Sequence, residues 1–466
     1  MNITPIKIGL LPLYVALYDT SSPELRPEVE AFYQEVAERL RALGFDVITN
    51  PLCCLKPQFE QALERFESNG AEAIVTLHLA YSPSLESAEP LSATQLPLVV
   101  LDTTPDFLFD ATIDSGRIMN NHGIHGVQDM CNLLRRNGKP FAIYAGHIDH
   151  SDVLERLAAG VRAAAAWTRL SHSHVGMVGE PFGGMGDFCV NDDRLTALGV
   201  RVSHYPLDAD DSALRAVSQE ALDREFAADT LRVQIPPEIS REQYDATERV
   251  GLAIRSWLER EGFTAFTMNF EAAGRYAAFP TMPFSEASKA MARGIGYAGE
   301  GDVLTAAFVG ALLRSYPDTT FAEMFCPNWR GNSVFFSHMG EFNLNIAQGR
   351  PHMILKDFPF APGFDPTCCM GCFRAGDACY ANLAPTKDGF RLILAEGKVV
   401  QQAECIGSFA NSVSGWFRPN VALPEFLEEF SRAGGTHHGA LVYGASAKEL
   451  ATLALFGGMD CLTIGG

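Results

Sequence analysis

The first third of the chain alternates short apolar runs with amphipathic segments. Ile6–Leu11, Ala73–Leu77 and Leu98–Asp102 are almost entirely apolar, as expected of strands that are buried on both faces. Glu28–Leu43 repeats its apolar positions with the helical period and is followed by Gly44, a residue type common after helix ends. Strand and helix signals that alternate in this way predict a parallel α/β sheet.

The same pattern extends through the first two thirds of the chain. Further strands are predicted at Phe45–Thr49, Phe141–Ala145, His174–Val178 and Phe263–Phe270. Further helices are predicted at Gln58–Glu67, Gly123–Arg136, Val153–Trp167, Ser218–Ala227, Tyr244–Glu261 and Ser285–Ser315, the last interrupted by a turn in GYAGEGD.

After about residue 320, short runs of alternating apolar residues are separated by turns, as in His352–Phe360, Gly389–Val400 and Gly439–Ser446. This texture is typical of a mostly antiparallel β domain. We therefore predict an α/β protein with two α/β domains, each with a parallel sheet, followed by a mostly antiparallel β domain. The expected domains are residues 1–170, 171–320 and 321–466.

Composition and charge limit the kinds of partner that this chain is expected to bind. The chain of 466 residues exceeds what one core supports, and its net charge of −20 disfavours nucleic acid and anionic membranes as partners. No apolar run approaches the roughly 20 residues of a membrane helix, and the N-terminus reads as a strand rather than a signal peptide. A cytoplasmic enzyme acting on a neutral or metal-bound small molecule is expected.

The eleven cysteines are odd in number, which favours reduced thiols. Four of them are crowded in DPTCCMGCFRAGDAC, namely Cys368, Cys369, Cys372 and Cys379. A single CxxC pair leaves two hypotheses open, a structural or redox metal and a set of reduced thiols. The glycine-rich GEPFGGMGDF follows a predicted strand, but it lacks the GxGxxG spacing of a nucleotide site.

Four segments in the last third carry candidate metal ligands. They are GYAGEGD, FAEMF, FSHMGE and GGTHH, with Glu300, Glu323, His338 and His438. Two carboxylates and two imidazoles suit a divalent cation such as Mn²⁺ or Co²⁺, with Mg²⁺ as an alternative. A cation held in this way can polarise adjacent oxygens of a polyol.

The stretch AFTMNFEAAGRYAAFPTMPFSEASKAMARGIGYAGEGDVLTAA, followed in order by those segments, resembles the L-arabinose isomerases within the wider L-fucose/L-arabinose isomerase superfamily. LPLYVALYD, LHLAYSPS and MNNHGIHGVQDM also have counterparts there. The resemblance implies three domains, two Rossmann-like α/β domains and one mostly antiparallel, barrel-like β domain, assembled as trimers or hexamers with shared active sites.

The resemblance also implies residue roles. The metal ligands fall on Glu300, Glu323, His338 and His438, and a catalytic histidine that reaches a neighbouring subunit's site falls on His122. The substrate-lining positions are Leu13, Tyr14, Tyr81, Met185, Phe270 and, beside a ligand, His437. Asp302 and Glu341 are candidates to orient the metal ligands.

Some positions depart from the family pattern. Val303 replaces an aromatic residue in EGDW, Leu11–Pro12 replaces a polar pair, and Tyr81 stands where the family has phenylalanine. The family's metal-ligand positions are kept while residues of the pocket wall differ. This combination implies the same reaction on a sugar other than arabinose.

The expected reaction is an aldose–ketose isomerisation of a free monosaccharide such as a pentose or a 6-deoxyhexose. Hydrogen moves between C1 and C2, as a proton or as a hydride, while Glu300 and Glu323 transfer protons. Two alternatives remain, an epimerase or another metal–enediol enzyme of sugar or sugar-acid catabolism, and a sugar-binding protein without turnover.

Overall fold

The computed structural model describes residues 4–206, 208, 210–401 and 409–466. The chain divides into two compact units. The N-terminal unit comprises Asn2–Thr168 and Thr452–Gly458, and the larger unit comprises Arg169–Ala451 and Met459–Gly466. None of the described helices is both long enough and apolar enough to span a membrane.

The N-terminal unit is built on a five-stranded sheet in which all neighbouring strands are parallel. Its strands are β1 (Lys7–Leu13), β2 (Asp46–Thr49), β3 (Ala73–His78), β4 (Leu98–Asp102) and β5 (Phe141–Ala145), in the order β2-β1-β3-β4-β5. The helices are α1 (Tyr18–Ser21), α2 (Leu25–Ala42), α3 (Lys56–Ser68), α4 (Ser84–Ala93), α5 (Ile118–Asn121), α6 (Gly123–Arg136) and α7 (Val153–Leu170), with a 3₁₀ helix at Ser115–Arg117. Apolar cores lie on both faces of the sheet, which explains the continuously apolar strands.

The larger unit begins with a second parallel sheet of four strands. These are β6 (His174–Val178), β7 (Arg201–His204), β8 (Ala265–Met268) and β9 (Gly296–Gly299), in the order β7-β6-β8-β9. The helices are α8 (Asp192–Leu198), α9 (Ser212–Arg215), α10 (Gln219–Arg232), α11 (Arg241–Glu261), α12 (Phe284–Ala292) and α13 (Val303–Ser315), with a 3₁₀ helix at Phe270–Ala272.

The prediction of a turn inside one long helix at GYAGEGD was wrong, because Gly296–Gly299 is the fully buried strand β9. A Cβ atom at Gly296 would lie 2.2 Å from the carbonyl oxygen of Ala306 and 2.4 Å from the nitrogen of Gly310. The glycine therefore lets α13 pack directly on the strand backbone. The strand predicted at Phe263–Phe270 is also shorter, and Phe270 lies in the 3₁₀ helix that follows it.

The remainder of the larger unit is a closed antiparallel barrel. Its strands are β10 (Thr319–Asn328), β11 (Ser333–Ser337), β14 (Gly376–Pro385), β15 (Phe390–Val399), β16 (Gly415–Pro419) and β17 (His438–Tyr443), in the order β14-β17-β10-β11-β16-β15 with β15 paired again to β14. The other elements are β12 (His352–Leu355) and β13 (Thr367–Met370), which pair with each other, a 3₁₀ helix at Leu344–Ile346, α14 (Leu423–Arg432) and β18 (Asp460–Ile464), which adds to β15 in parallel. The helix α15 (Ala447–Gly457) begins in the larger unit, and its residues from Thr452 belong to the N-terminal unit. The predicted fold class, two parallel α/β sheets and a barrel-like β region, is confirmed.

The cysteine cluster does not assemble a metal site in the described part of the chain. Cys368, Cys369 and Cys379 are buried free thiols, and no candidate ligand group among the described residues includes them. Burial raises the pKa of Cys369 and of Cys379 to about 12, which keeps these two thiols protonated and unreactive. Cys372 departs from the expectation of reduced thiols, because it is disulfide-bonded.

Candidate metal centre

The pairing of strands in the barrel brings three of the predicted ligands, Glu323, His338 and His438, close together. Glu323 on β10 pairs with Ser337 at the end of β11 on one side and with His438 at the start of β17 on the other. His338 follows Ser337 directly. Adjacent strands lie about 4.8 Å apart, so the three side chains emerge at one point of the barrel rim.

Glu300 reaches the same place from the parallel sheet. It follows β9, and its φ of 64° is in the left-handed region, where non-glycine residues are rare. The Glu300 N–H donates to the carbonyl oxygen of Met268 at 3.1 Å, which holds this conformation. A strained backbone held by its surroundings is a common feature of functional sites.

Each candidate ligand imidazole is oriented by a buried carboxylate. Nδ1 of His338 lies 2.6 Å from Oε1 of Glu341, and Nδ1 of His438 lies 3.0 Å from Oδ2 of Asp302. A proton on each Nδ1 completes these hydrogen bonds and leaves the lone pair of Nε2 free. This carboxylate–histidine arrangement is the usual second layer of a metal site.

The candidate ligand atoms of these four side chains lie close together. Nε2 of His338 lies 4.0 Å from Oε2 of Glu323, and Nε2 of His438 lies 3.9 Å from Oε2 of Glu300. Glu323, His338 and His438 form one candidate ligand group, and Glu300 forms another with His438 and His437. Buried Glu300 Oε2 and His438 Nε2 have no hydrogen-bond partner within the described ranges. The donor set and these two unsatisfied atoms fit a divalent cation.

Aromatic rings and a glycine enclose the histidines. The Phe321 ring meets His338 edge-on at 4.8 Å between centroids and His438 at 4.9 Å. A Cβ atom at Gly299 would lie 2.4 Å from Cε1 of His338, so only glycine leaves room for that imidazole.

His437 is held by a residue that the sequence analysis did not identify. Oδ2 of Asp187 accepts hydrogen bonds from both the backbone N–H of His437, at 2.9 Å, and its Nδ1, at 2.6 Å. Burial lowers the pKa of His437, but the bond to Asp187 outweighs it and sets the pKa at about 10. Nε2 of this imidazolium lies 3.9 Å from Oε2 of Glu300.

Asp187 belongs to the glycine-rich segment that was considered as a phosphate loop. Phe182 donates its N–H to the Glu300 carbonyl oxygen at 2.8 Å, and the Phe188 ring stacks on His438 at 5.2 Å. This segment therefore lies against the candidate metal centre. In the sequence, the only indication that this segment belongs to the site is an acidic and an aromatic residue, Asp187 and Phe188, next to its glycines.

The predicted substrate residues of the larger unit lie near this segment. Met185 is at its exposed tip, and its N–H donates to the Phe182 carbonyl oxygen at 3.3 Å. Phe270 is buried, with its ring 5.0 Å from that of Phe182.

Burial raises the pKa of Glu300, but contacts with His437 and His438 outweigh it, so the pKa lies below its ordinary value.

The other predicted residues belong to the N-terminal unit. Nε2 of His122 lies 2.9 Å from the Tyr18 hydroxyl oxygen. Burial and the neighbouring His125 lower the pKa of His122. Tyr14 contacts Tyr18 edge-on at 6.1 Å between ring centroids, and Tyr81 contacts His125 in the same way at 6.5 Å.

The Tyr14 hydroxyl oxygen and Nδ1 of His122 are buried and lack a partner among the described residues. Leu13 is fully buried in the core beneath the sheet. The N-terminal unit thus gathers its own set of aromatic and imidazole side chains at the ends of β1 and β3.

The fold and the candidate metal centre together define the class of protein. It has parallel α/β sheets and a closed barrel, and the barrel rim carries paired carboxylates and imidazoles. Two family models match successive parts of the chain, the L-arabinose isomerase central domain over residues 190–314 and the L-arabinose isomerase C-terminal domain over residues 318–460. The chain is an L-arabinose isomerase-like protein. It is accordingly a sugar isomerase that interconverts an aldose and a ketose.

Curated relatives match nearly the whole chain. L-arabinose isomerase 1 of Bacillus licheniformis is 26% identical, covering 90% of this chain and 85% of its own length. The L-arabinose isomerase of Bacillus subtilis is 24% identical, with 96% and 92% covered. That of Geobacillus kaustophilus is 27% identical, with 86% and 82% covered. A solute-binding protein from Actinobacillus succinogenes with bound D-allose aligns with a TM-score of only 0.18, at 12% identity over 67% of this chain and 91% of its own.

Proposed function

We propose that this isomerase is metal-dependent and acts on a free monosaccharide of the pentose or 6-deoxyhexose type. L-arabinose, which the curated relatives are named for, is the reference sugar. Because Val303, Leu11–Pro12 and Tyr81 depart from the family pattern, we propose that a different sugar of this type is the preferred substrate. The observation that carries the proposal is the convergence of Glu300, Glu323, His338 and His438, with Glu300 Oε2 and His438 Nε2 left unsatisfied.

The four converging side chains would hold the cation. Two carboxylate oxygens and two imidazole nitrogens favour Mn²⁺, with Co²⁺ and Mg²⁺ as alternatives. Glu341 and Asp302 fix the imidazoles with Nε2 turned inward. A bound cation would supply positive charge next to the sugar oxygens on which negative charge develops.

The two glutamates are the groups that move protons. Glu300 and Glu323 enter the cluster from different elements, β9 and β10, so their carboxylates approach a bound sugar from different directions. A carboxylate beside C1 or C2 can take a proton from one carbon or oxygen and return it to the neighbouring one. Burial raises the pKa of Glu300, but His437 and His438 outweigh it and lower the pKa, which favours the carboxylate form that a proton acceptor needs.

His437 is proposed as a substrate contact. One oxygen atom can lie within about 2.8 Å of each of two atoms that are 3.9 Å apart, the separation of His437 Nε2 and Glu300 Oε2. A sugar hydroxyl placed there would accept from the imidazolium and donate to the carboxylate. Met185 and Phe270 would provide the apolar part of the pocket.

The N-terminal residues are proposed to complete the site of another subunit. His122 would act there as a catalytic histidine, beside Tyr14, Tyr81 and Leu13, in a trimer or hexamer. The unsatisfied atoms of His122 and Tyr14 favour a ligand at this place. Of the described cysteines, nine are free and Cys372 is disulfide-bonded, and the predominance of free thiols favours a reducing, cytoplasmic location.

The test is isomerisation of free aldoses and ketoses of four to six carbons, including L-arabinose and L-fucose, by EDTA-treated protein with and without Mn²⁺. We expect Mn²⁺-dependent conversion of at least one sugar. Glu300→Gln should lower kcat by about 10²- to 10⁴-fold without unfolding the chain, whereas Glu425→Gln at an exposed position of α14 should not change it. Conversion that persists without any metal, or a fully active Glu300→Gln variant, would refute the proposal.

A further inference from the structure

The glycine loop, residues 179–190, is fastened to the candidate metal centre at both of its ends. On one side the Phe182 N–H donates to the Glu300 carbonyl oxygen at 2.8 Å. On the other, Asp187 binds His437 and the Phe188 ring stacks on His438 with an angle of 13° between planes. Two attachments five residues apart along the chain hold the intervening tip over the cluster.

The tip is exposed, and the Met185 N–H donates within the loop to the Phe182 carbonyl oxygen. Gly183, Gly184 and Gly186 are exposed, and Cβ atoms built on them would meet nothing within 4 Å. Met185, the fourth residue of the tip, is also exposed. The loop is therefore held through its ends, and of the loop residues in these attachments, Phe182, Asp187 and Phe188, Asp187 alone has a charged side chain.

The contact made by Asp187 is specific in its geometry. A single oxygen, Oδ2, accepts from the backbone N–H and from Nδ1 of His437, at 2.9 and 2.6 Å. Two donors from one residue, received by one acceptor, fix both the main chain and the rotation of the imidazole. With Nδ1 engaged in this way, Nε2 is directed toward Glu300, 3.9 Å away.

We propose that Asp187 is a positioning residue for the isomerase reaction: it holds His437 with Nε2 facing Glu300, where a sugar hydroxyl binds, and it anchors the glycine loop that carries Met185. This inference rests on the proposed function. Asp187 is not one of the proposed metal ligands, and its carboxylate is engaged by His437, so it acts through that residue. The metal ligands themselves are oriented by other carboxylates, Asp302 and Glu341.

Asp187→Ala should lower kcat/KM by about 10- to 100-fold, the usual cost of losing an orienting partner. Its affinity for Mn²⁺, measured by titration of the metal-free protein, should stay within about threefold of wild type, since His338 and His438 keep their partners Glu341 and Asp302. Asp187→Asn retains an oxygen that can accept both hydrogen bonds and should keep more activity than Asp187→Ala. Asp193→Asn, an exposed change of the same kind six residues later, is the matched control and should not alter kcat/KM.

A double-mutant cycle separates positioning from other roles. In a His437→Ala background the imidazole that Asp187 orients is absent and only its bond to the backbone N–H of residue 437 remains. Asp187→Ala should therefore lower kcat/KM clearly less there than in the wild-type background. Additive losses, a parallel fall in Mn²⁺ affinity, or an Asp187→Asn variant as impaired as His437→Ala would overturn the inference. If Asp187→Ala does not fold, Asp187→Asn in the same cycle gives the decision. A wild-type protein inactive on every sugar would instead count against the proposed function.

Discussion

At the scale of single residues, Gly299 decides whether His338 can occupy its place. A Cβ atom there would lie 2.4 Å from Cε1 and 3.0 Å from Nε2 of the imidazole, and the strand is fully buried and paired with β8. Because neither backbone nor ring has space to give way, Gly299→Ala must displace the proposed ligand. We expect Mn²⁺ affinity and kcat/KM to fall by about tenfold or more.

Titration of the metal-free variant by calorimetry, with kcat/KM measured in excess Mn²⁺, tests this expectation. Gly389→Ala is the control, because a Cβ atom there would meet nothing within 4 Å and its φ is not in the left-handed region. Wild-type metal affinity in Gly299→Ala would show that His338 is not a ligand.

The contrast between Glu323 and Asp187 shows which site residues a sequence reveals. The proposed ligands stand in short, recognisable segments, and strand pairing alone brings Glu323 beside His438. Asp187 is separated from His437 by 250 positions, and nothing in either segment announces their hydrogen bond. Contacts of this kind depend on how the loop after β6 folds back, which local periodicity does not encode. The roles of the proposed site residues remain predictions.

At the scale of elements, three helices of the larger unit are joined by a buried cation. The ammonium group of Lys289 on α12 lies 2.7 Å from Glu225, 3.0 Å from Asp229 and 2.5 Å from Glu248, the first two on α10 and the third on α11. Burial lowers the pKa of Lys289, but the surrounding carboxylates outweigh it and raise the pKa. Lys289→Met would leave buried carboxylates without their cation, and we expect a loss of about 3–5 kcal/mol in the free energy of unfolding.

Urea unfolding at neutral pH measures that loss. Lys56→Met, which removes an exposed partner of Glu89, is the control and should have no measurable effect. If the two variants were equally stable, the buried ion pairs would not be what holds α10, α11 and α12 together.

These elements also show how far sequence patterns reach. Gly123–Arg136, Phe141–Ala145 and His174–Val178 were predicted to the residue, because clear changes in hydrophobic period bound them. β9 was missed because GYAG has low strand propensity and becomes a strand only through burial against β8 and α13. α11 begins earlier than predicted, since the side chains of Ser240 and Gln243 form a capping box at its N-terminus.

At the scale of the whole molecule, the proposed functional residues are divided between the two compact units. The proposed ligands all belong to the larger unit of one chain, whereas His122 belongs to the N-terminal unit. A shared site between subunits would place His122 of one protomer beside Glu300 of another. Protomers inactive for different reasons should then restore each other in mixed assemblies.

We expect His122→Ala and Glu300→Gln proteins, each inactive alone, to recover about a quarter of wild-type activity after equal mixing and subunit exchange. That fraction follows because half of the sites carry an intact Glu300 and half of their neighbours carry an intact His122. Mixing Glu300→Gln with Glu323→Gln is the control, since both residues must come from the same chain and no intact site can form. Rescue in that control, or no rescue with His122→Ala after exchange has been verified, would show that the site is not divided between subunits as proposed.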